Sequence, residues 1–328
     1  MYADRLPLYR QLEGERASKV IALVNGDRPG LETQLHPDVL DPLVHHLDCV
    51  GEVPRISLIL YTCGGHTLTA WSIVNLLRQF CDELEVIVPA KALSSGTLIC
   101  LGADRIVMTK QATLGPIDPS INGPLNPSIE GGTVPVSAEA VNGYLEFARA
   151  ALGGEGRGMA AVLERLSGQI HPLVLGGAYR SRMQMRMIGR RLLGRQIKDD
   201  ASIERVLEFL CSDSGSHDYT IYQREARDEL GLRVEPAGET GYRILRALQL
   251  DFTGELELLK PFDSQAVLGR QTTAYYVLRG GLLESVAGGS HVHRTRGRVW
   301  QQKVQIQPGV HESMIMNEQK FEGWCHDV

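Results

Sequence analysis

Val86-Ile-Val-Pro-Ala-Lys-Ala-Leu-Ser-Ser-Gly-Thr97 is the stretch on which the reading of the fold turns. Glu85–Val88 ends in an apolar, β-branched run, the pattern of a buried strand. Pro89 breaks that run, and Thr97–Gly102 continues with helical character. Ser94 therefore opens a helix, where backbone amides lack intrahelical acceptors. A strand, a sharp turn and a helix in so few residues is the signature of a layered α/β core.

The same alternation extends in both directions. Lys19–Val24 reads as a first buried strand, closed by the turn signal Asn25-Gly26-Asp27. Pro37–Leu47 has helical apolar spacing. Ile56–Tyr61 is a second strand, broken by Thr62-Cys63-Gly64-Gly65, and Thr69–Phe80 is the helix after it. Arg105–Met108 is a fourth strand. Residues 122–136 are rich in Gly, Pro, Asn and Ser and read as a loop or lid. Helices follow at Ala138–Leu152, Met159–Leu166, Pro172–Leu193, Ser202–Cys211, Gln223–Leu230 and Glu239–Leu248. The third of these carries five arginines, read as a solvated or subunit-facing basic surface. Beyond these helices, Tyr275–Leu278 and Val299–Ile306 read as strands. The expected architecture is an α/β layered core over 1–251 with a β-rich C-terminal appendage over 252–328.

Composition narrows the function. The chain has 328 residues, 43% hydrophobic and 22% charged, with a formal net charge of -5. That charge gives no support for a nucleic-acid partner. The most apolar stretches are interrupted by Glu85, Lys91 and Asp104, so no membrane span is expected. The N-terminus lacks the apolar core of a secretion signal, and the cytoplasm is the expected compartment. Six scattered cysteines without a C-x-x-C pair read as reduced thiols, and neither a disulfide framework nor a metal site is expected. No phosphate loop or dinucleotide fingerprint occurs, and no cofactor is expected.

Chemistry concentrates at two turns that follow buried strands, Gly64-Gly65 and Ser94-Ser95-Gly96. Glycines allow close backbone approach, and free amides there can meet a developing anion. A serine hydroxyl beside such donors suits acyl transfer. On the residues alone, a tight turn and a helix cap at Ser94 remain equally open.

Taken in order, five segments resemble the serine dehydrogenase proteinase family of the Clp protease/crotonase fold, a relative of signal peptide peptidase A. They are Leu58–Gly65, Val86–Thr97, Leu101–Met108, Leu114–Pro119 and Ser216–Leu232. The resemblance implies a serine peptidase with Ser94 as nucleophile and the amides of Gly65 and Ser95 as the oxyanion hole. It places a triad aspartate at Asp218, by its spacing from Glu225-Ala226. It also places a histidine near Pro116-Ile117-Asp118, where the sequence has none. The lysine base of signal peptide peptidase A has no counterpart either, because no lysine lies between Lys110 and Lys198.

His217 is therefore the expected base, with Asp218 beside it and His171 as the alternative. A turn role between the prolines is expected for Asp118, with a catalytic role as the alternative. Cys63 stands where related families carry proline, and is read as a small buried side chain. The fold further implies a homo-oligomer acting on peptide or protein substrates, with the appendage at an interface or recruiting a protein partner. Two rival readings share the fold: a crotonase-like acyl-CoA enzyme and a non-catalytic scaffold.

Overall fold

The computed structural model describes residues 1–129, 132–152, 156–307 and 310–327. They group into two compact units, Met1–Leu114 with Tyr222–Val328, and Gly115–Ile221.

The first unit opens with α1 (Tyr2–Arg16), β1 (Lys19–Asn25), a 3-10 turn (Pro37–Val39), α2 (Leu40–Val50) and β2 (Val53–Tyr61). Next come α3 (Thr67–Leu77), β3 (Cys81–Val88), β4 (Lys91–Ala92), α4 (Ser95–Leu101), β5 (Arg105–Met108) and β6 (Thr113–Leu114). The second unit holds β7 (Ser120–Ile121), β8 (Ser128–Ile129), β9 (Gly132–Thr133), β10 (Val136–Ser137), α5 (Ala138–Leu152), α6 (Arg157–Ser167), α7 (Pro172–Leu193) and α8 (Asp200–Glu208). A π-type turn at Phe209–Asp213 extends α8, and β11 (Ile221–Tyr222) falls on the boundary. The chain then returns to the first unit with a π-type turn (Glu225–Glu229), β12 (Val234–Pro236), α9 (Glu239–Glu255), α10 (Ser264–Leu268), β13 (Thr273–Ser285), β14 (Gly289–Gln307) and β15 (Val310–His326).

The first unit is built on an eight-stranded sheet in the order β12-β5-β3-β2-β1-β13-β14-β15. The pairs from β12 to β1 are parallel, and those from β1 to β15 are antiparallel. Its parallel strands are apolar on both faces because both are covered. Val20, Ala22, Val24 and Ile59 pack on one side against Tyr9 and Leu12 of α1 and Leu248 and Phe252 of α9. Ile21, Leu23, Leu58 and Leu60 alternate with them and are equally buried. This is a mixed α/β fold with its parallel strands covered on both faces, as the alternation of strands and helices predicts.

The β-rich stretch within 252–328 contributes to the same sheet. Leu283 of β13 lies opposite Leu23 of β1, so the core sheet runs on through β13 into the β14–β15 hairpin. The strands there are far longer than the apolar runs in the sequence suggest. Residues 252–255 still belong to α9.

A buried charge network ties α1 to this sheet. Arg5 is fully buried and donates to both oxygens of Glu284 at 2.9 and 2.6 Å, and to Glu255 at 2.6 Å. Tyr9 Oη donates to Glu284 at 2.6 Å. A guanidinium and a carboxylate taken out of water together hold only if their remaining valences are met, and here they are.

In the second unit three of the five arginines on α7 are ion-paired within the unit, and Arg180 and Arg191 are exposed. Arg182 pairs with Glu139, Arg186 with Glu204, and Arg190 with both Asp200 and Glu204. Ile188 and Leu192 of the same helix are buried. The expected lid contains the short paired strands β8 and β9 and is flanked by β7, which pairs with β10 at its far end; residues 130 and 131 lie outside the described residues.

Candidate active site

Ser94 sits between β4 and α4 with φ 51° and ψ −115°. A non-glycine residue there is strained, and such torsions persist only where the surroundings enforce them. Ser94 is half-buried, while α4 behind it is buried along its whole length. The hydroxyl thus stands at the mouth of a helix N-terminus, where unpaired amides and the helix dipole favour negative charge.

Four neighbours enforce this turn. Thr62, just before the glycine pair, bridges to Ala92 in parallel, its N–H donating to Lys91 and its carbonyl accepting from Leu93. Gly96 lies against Thr62: a Cβ on it would fall 2.5 Å from Thr62 Cγ2. Thr97 Oγ1 donates to the Ala92 carbonyl at 2.9 Å. Ser95 Oγ donates to the Gly65 carbonyl at 2.6 Å. In the sequence Ser94-Ser95-Gly96-Thr97, each of the three positions after Ser94 has a steric or hydrogen-bonding reason.

The glycine pair closes the other side. Gly64 has φ 110°, and a Cβ on it would meet Ser94 Cβ at 2.8 Å. Gly65 has φ 145° and lies flat against Leu35, where a Cβ would fall 2.4 Å from the Leu35 carbonyl oxygen. Leu35 bonds the residues flanking Gly65: its N–H donates to Gly64, and its carbonyl accepts from His66. The amides of Gly65 and Ser95 are left with no protein acceptor among the described residues. The structure therefore brings Ser94, Ser95 and Gly65 together in the first unit.

The histidine and aspartate candidates belong to the second unit. His217 Nδ1 is hydrogen-bonded to a carboxylate oxygen of Asp118, which is 12% exposed. The hydrogen bond to Asp118 raises the His217 pKa above the ordinary 6.5; partial burial opposes the shift and the nearby charge of Asp218 adds to it. Asp118, for which a turn role is expected ahead of a catalytic one, is the hydrogen-bond partner of His217. Asp218 instead receives its place through its backbone N–H, which donates to Ser216 Oγ at 3.2 Å. His171 caps α7, its Nδ1 accepting from the Leu173 N–H at 3.2 Å.

Cys63 is exposed rather than buried. Lys91, three residues before Ser94, is ion-paired with Asp27, which also accepts from Tyr61 Oη at 2.6 Å. Burial lowers the lysine pKa, but the Asp27 carboxylate outweighs it and holds Lys91 above its ordinary value, charged and unsuited to accept a proton. Among the described residues no helix is long and apolar enough to cross a membrane.

Fold and site together describe a ClpP-like α/β core, and comparison with known proteins finds similarity to that class. Residues 43–139, a segment shorter than half the chain, match the family of ClpP-like SDH-type serine proteinases. The segment takes in both Gly64-Gly65 and Ser94. Two uncharacterized proteins of Methanocaldococcus jannaschii, MJ0137 and MJ1495, are 34% and 32% identical over 123 residues. Each match covers 36% of this chain and only 43% or 42% of the relative, so the chain spans less than half of either. A solved structure of a membrane-bound stomatin-specific protease aligns over 63% of this chain and 76% of its own, at 16% identity and a TM-score of 0.36. A likeness that distant bears on neither mechanism nor substrate.

Proposed function

We propose that this protein is a serine peptidase that cleaves peptide bonds through an acyl-enzyme on Ser94. The observation that carries the reading is the strained Ser94 at the N-terminus of buried α4, backed by the Gly64-Gly65 turn. In the proposed reaction Ser94 Oγ attacks the peptide carbonyl carbon and its proton passes to Nε2 of His217. The amides of Gly65 and Ser95 hold the resulting oxyanion. Collapse breaks the C–N bond, and the leaving amine takes the proton. Water then repeats the sequence and frees Ser94.

His217 is supported as the base by its bond to Asp118, which fixes the tautomer and stabilises the imidazolium. Asp218 adds negative charge beside the ring. His171 is the weaker choice because its Nδ1 is occupied in capping a helix. No metal or organic cofactor is needed for this chemistry. We further propose a cytoplasmic homo-oligomer acting on peptides or proteins, with the β14–β15 hairpin as the surface for self-association or a protein partner.

Labelling with a fluorophosphonate probe, followed by peptide mass spectrometry, tests the reading. Label is expected on Ser94 in the wild type and lost in Ser94→Ala and His217→Ala. Retention of label in His217→Ala with loss in His171→Ala would move the base to His171. A folded wild type that takes no label at Ser94 would sink the peptidase reading in favour of a non-catalytic scaffold.

A further inference from the structure

β15 is the last strand of the eight-stranded sheet, and among the described residues only β14 pairs with it. It is 17 residues long. Strands commonly run to about 5–6 residues, and edge strands are usually kept short or blunted by proline, charge or a covering element. Ser313–Asn317 carries neither proline nor charge. From Glu312 to Glu322 no residue is buried. The ladder with β14 is regular from Glu312 to Gln319, and Lys320 is the extra residue of the bulge that follows. Glu312–Gln319 therefore presents an unbroken row of outward N–H and C=O groups.

Charge is arranged at the two ends of this row. Glu312, Met314, Met316 and Glu318 alternate onto one face. Lys320 shares it, because its ammonium lies 5.8 Å from the centre of the Tyr275 ring, and Tyr275 lies in register with Arg298 and Glu318. A two-fold axis normal to the sheet keeps like faces of two copies together. Centred on Met316, it sets Glu312 of each copy opposite Lys320 of the other. Met314, 46% exposed in the single chain, then faces Glu318, whose charge Arg298 Nε already meets at 2.6 Å. Moved one residue toward the β14–β15 turn, the axis sets Glu312 against Glu318. Moved one residue the other way, it leaves Glu318 and Lys320 facing methionines. Moved two, it sets the Glu318 carboxylates against each other. Opposite charges directly across a ladder stabilise it and like charges destabilise it, so one register is selected.

We propose that β15 pairs antiparallel with β15 of a second copy over Glu312–Lys320, about a two-fold at Met316, joining two eight-stranded sheets into one. The inference rests on the homo-oligomer proposed above and gives it a contact and a register.

The test is sedimentation velocity of the full chain over a concentration series. The wild type is expected to run as a dimer or a multiple of dimers. Hydrogen exchange is expected to slow in Glu312–Lys320 as concentration rises. Glu312→Lys and Lys320→Glu each set like charges opposite one another at both ends of the ladder, and each is expected to weaken dimerisation on the order of tenfold. The double swap Glu312→Lys/Lys320→Glu restores opposite charges and is expected to dimerise like the wild type. Lys198→Glu, an equal change of charge at an exposed position in the second unit, is the control that leaves dimerisation unchanged. An assembly that ignores the single changes, or that the double swap does not rescue, overturns the pairing and keeps the homo-oligomer. A wild type that is monomeric at every concentration overturns both and leaves the edge to a strand of another protein. Neither result touches Ser94, whose labelling is read separately.

Discussion

Ser94 combines φ 51° with a side chain facing Gly64, and the two properties can be separated by substitution. Ser94→Ala removes the hydroxyl and keeps the strain, whereas Ser94→Gly removes both. Relief of strain worth about 1–3 kcal/mol is offset in part by the greater freedom of glycine in the unfolded chain. Ser94→Gly is expected to be more stable than Ser94→Ala by about 1 kcal/mol in urea unfolding, with neither labelled by fluorophosphonate. At His217 the sign runs with pH. The raised pKa keeps the imidazole protonated past pH 6.5, so labelling of Ser94 is expected to rise through a midpoint above that value. Asp118→Asn removes the largest cause of the shift and is expected to lower the midpoint. A midpoint that does not move would remove Asp118 from the mechanism. The turn at Ser94 and the glycine pair were legible because each sits in its own local strand–turn–helix. The Asp118–His217 bond was not, because it joins residues 99 positions apart. One signal did exist: an acid stood where a histidine was expected, and a histidine stood beside the expected acid.

Among the elements, α4 depends on the absence of a side chain. Gly96→Ala would set a methyl group 2.5 Å from Thr62 Cγ2 and push α4 away from β2. The expected cost is about 1–3 kcal/mol in denaturant unfolding, with loss of Ser94 labelling as the turn relaxes. α1 depends on Arg5. Arg5→Ala would strand the fully buried Glu284, and removal of one partner of a buried pair typically costs about 3–5 kcal/mol. For Glu255, burial raises the pKa but Arg5 and Arg279 outweigh it and leave it lowered. Its contribution to stability is therefore present above its unfolded pKa and lost as pH falls through the lower folded value. Glu255→Gln is expected to flatten the acid limb of a stability–pH curve measured by urea titration. α1 itself was not legible in the sequence, since its buried face joins Tyr9 and Leu12 to a charged residue, Arg5, that meets carboxylates from α9 and β13.

Across the whole chain the parallel strands were legible and the antiparallel extension was only partly so. β1, β2, β3 and β5 are short apolar runs buried on both faces, which is a strong local signal. β13 to β15 owe their length to pairing with one another, which no window of sequence reports. Their place in the sheet makes a prediction about truncation. A chain ending at Thr272 loses β13, leaves the edge of β1 bare and takes Glu284 from Arg5; it is expected not to fold, as read by circular dichroism. A chain ending at Gln307 loses only the outermost strand and is expected to unfold cooperatively in urea. Equal behaviour of the two chains would mean that β13 is dispensable to the core.

The torsions of Ser94 carry a consequence for handedness. Reflected through a mirror, φ 51° and ψ −115° become an ordinary extended conformation. Residue 94 thus holds an L-amino acid in a shape comfortable for its enantiomer. A D-serine introduced there by chemical ligation would sit without backbone strain, yet it would exchange the places of hydrogen and side chain at that carbon. The oxygen would then point away from the Gly64 side of the turn, and the relaxed protein would be inert. At this one atom, reactivity and comfort belong to opposite chiralities.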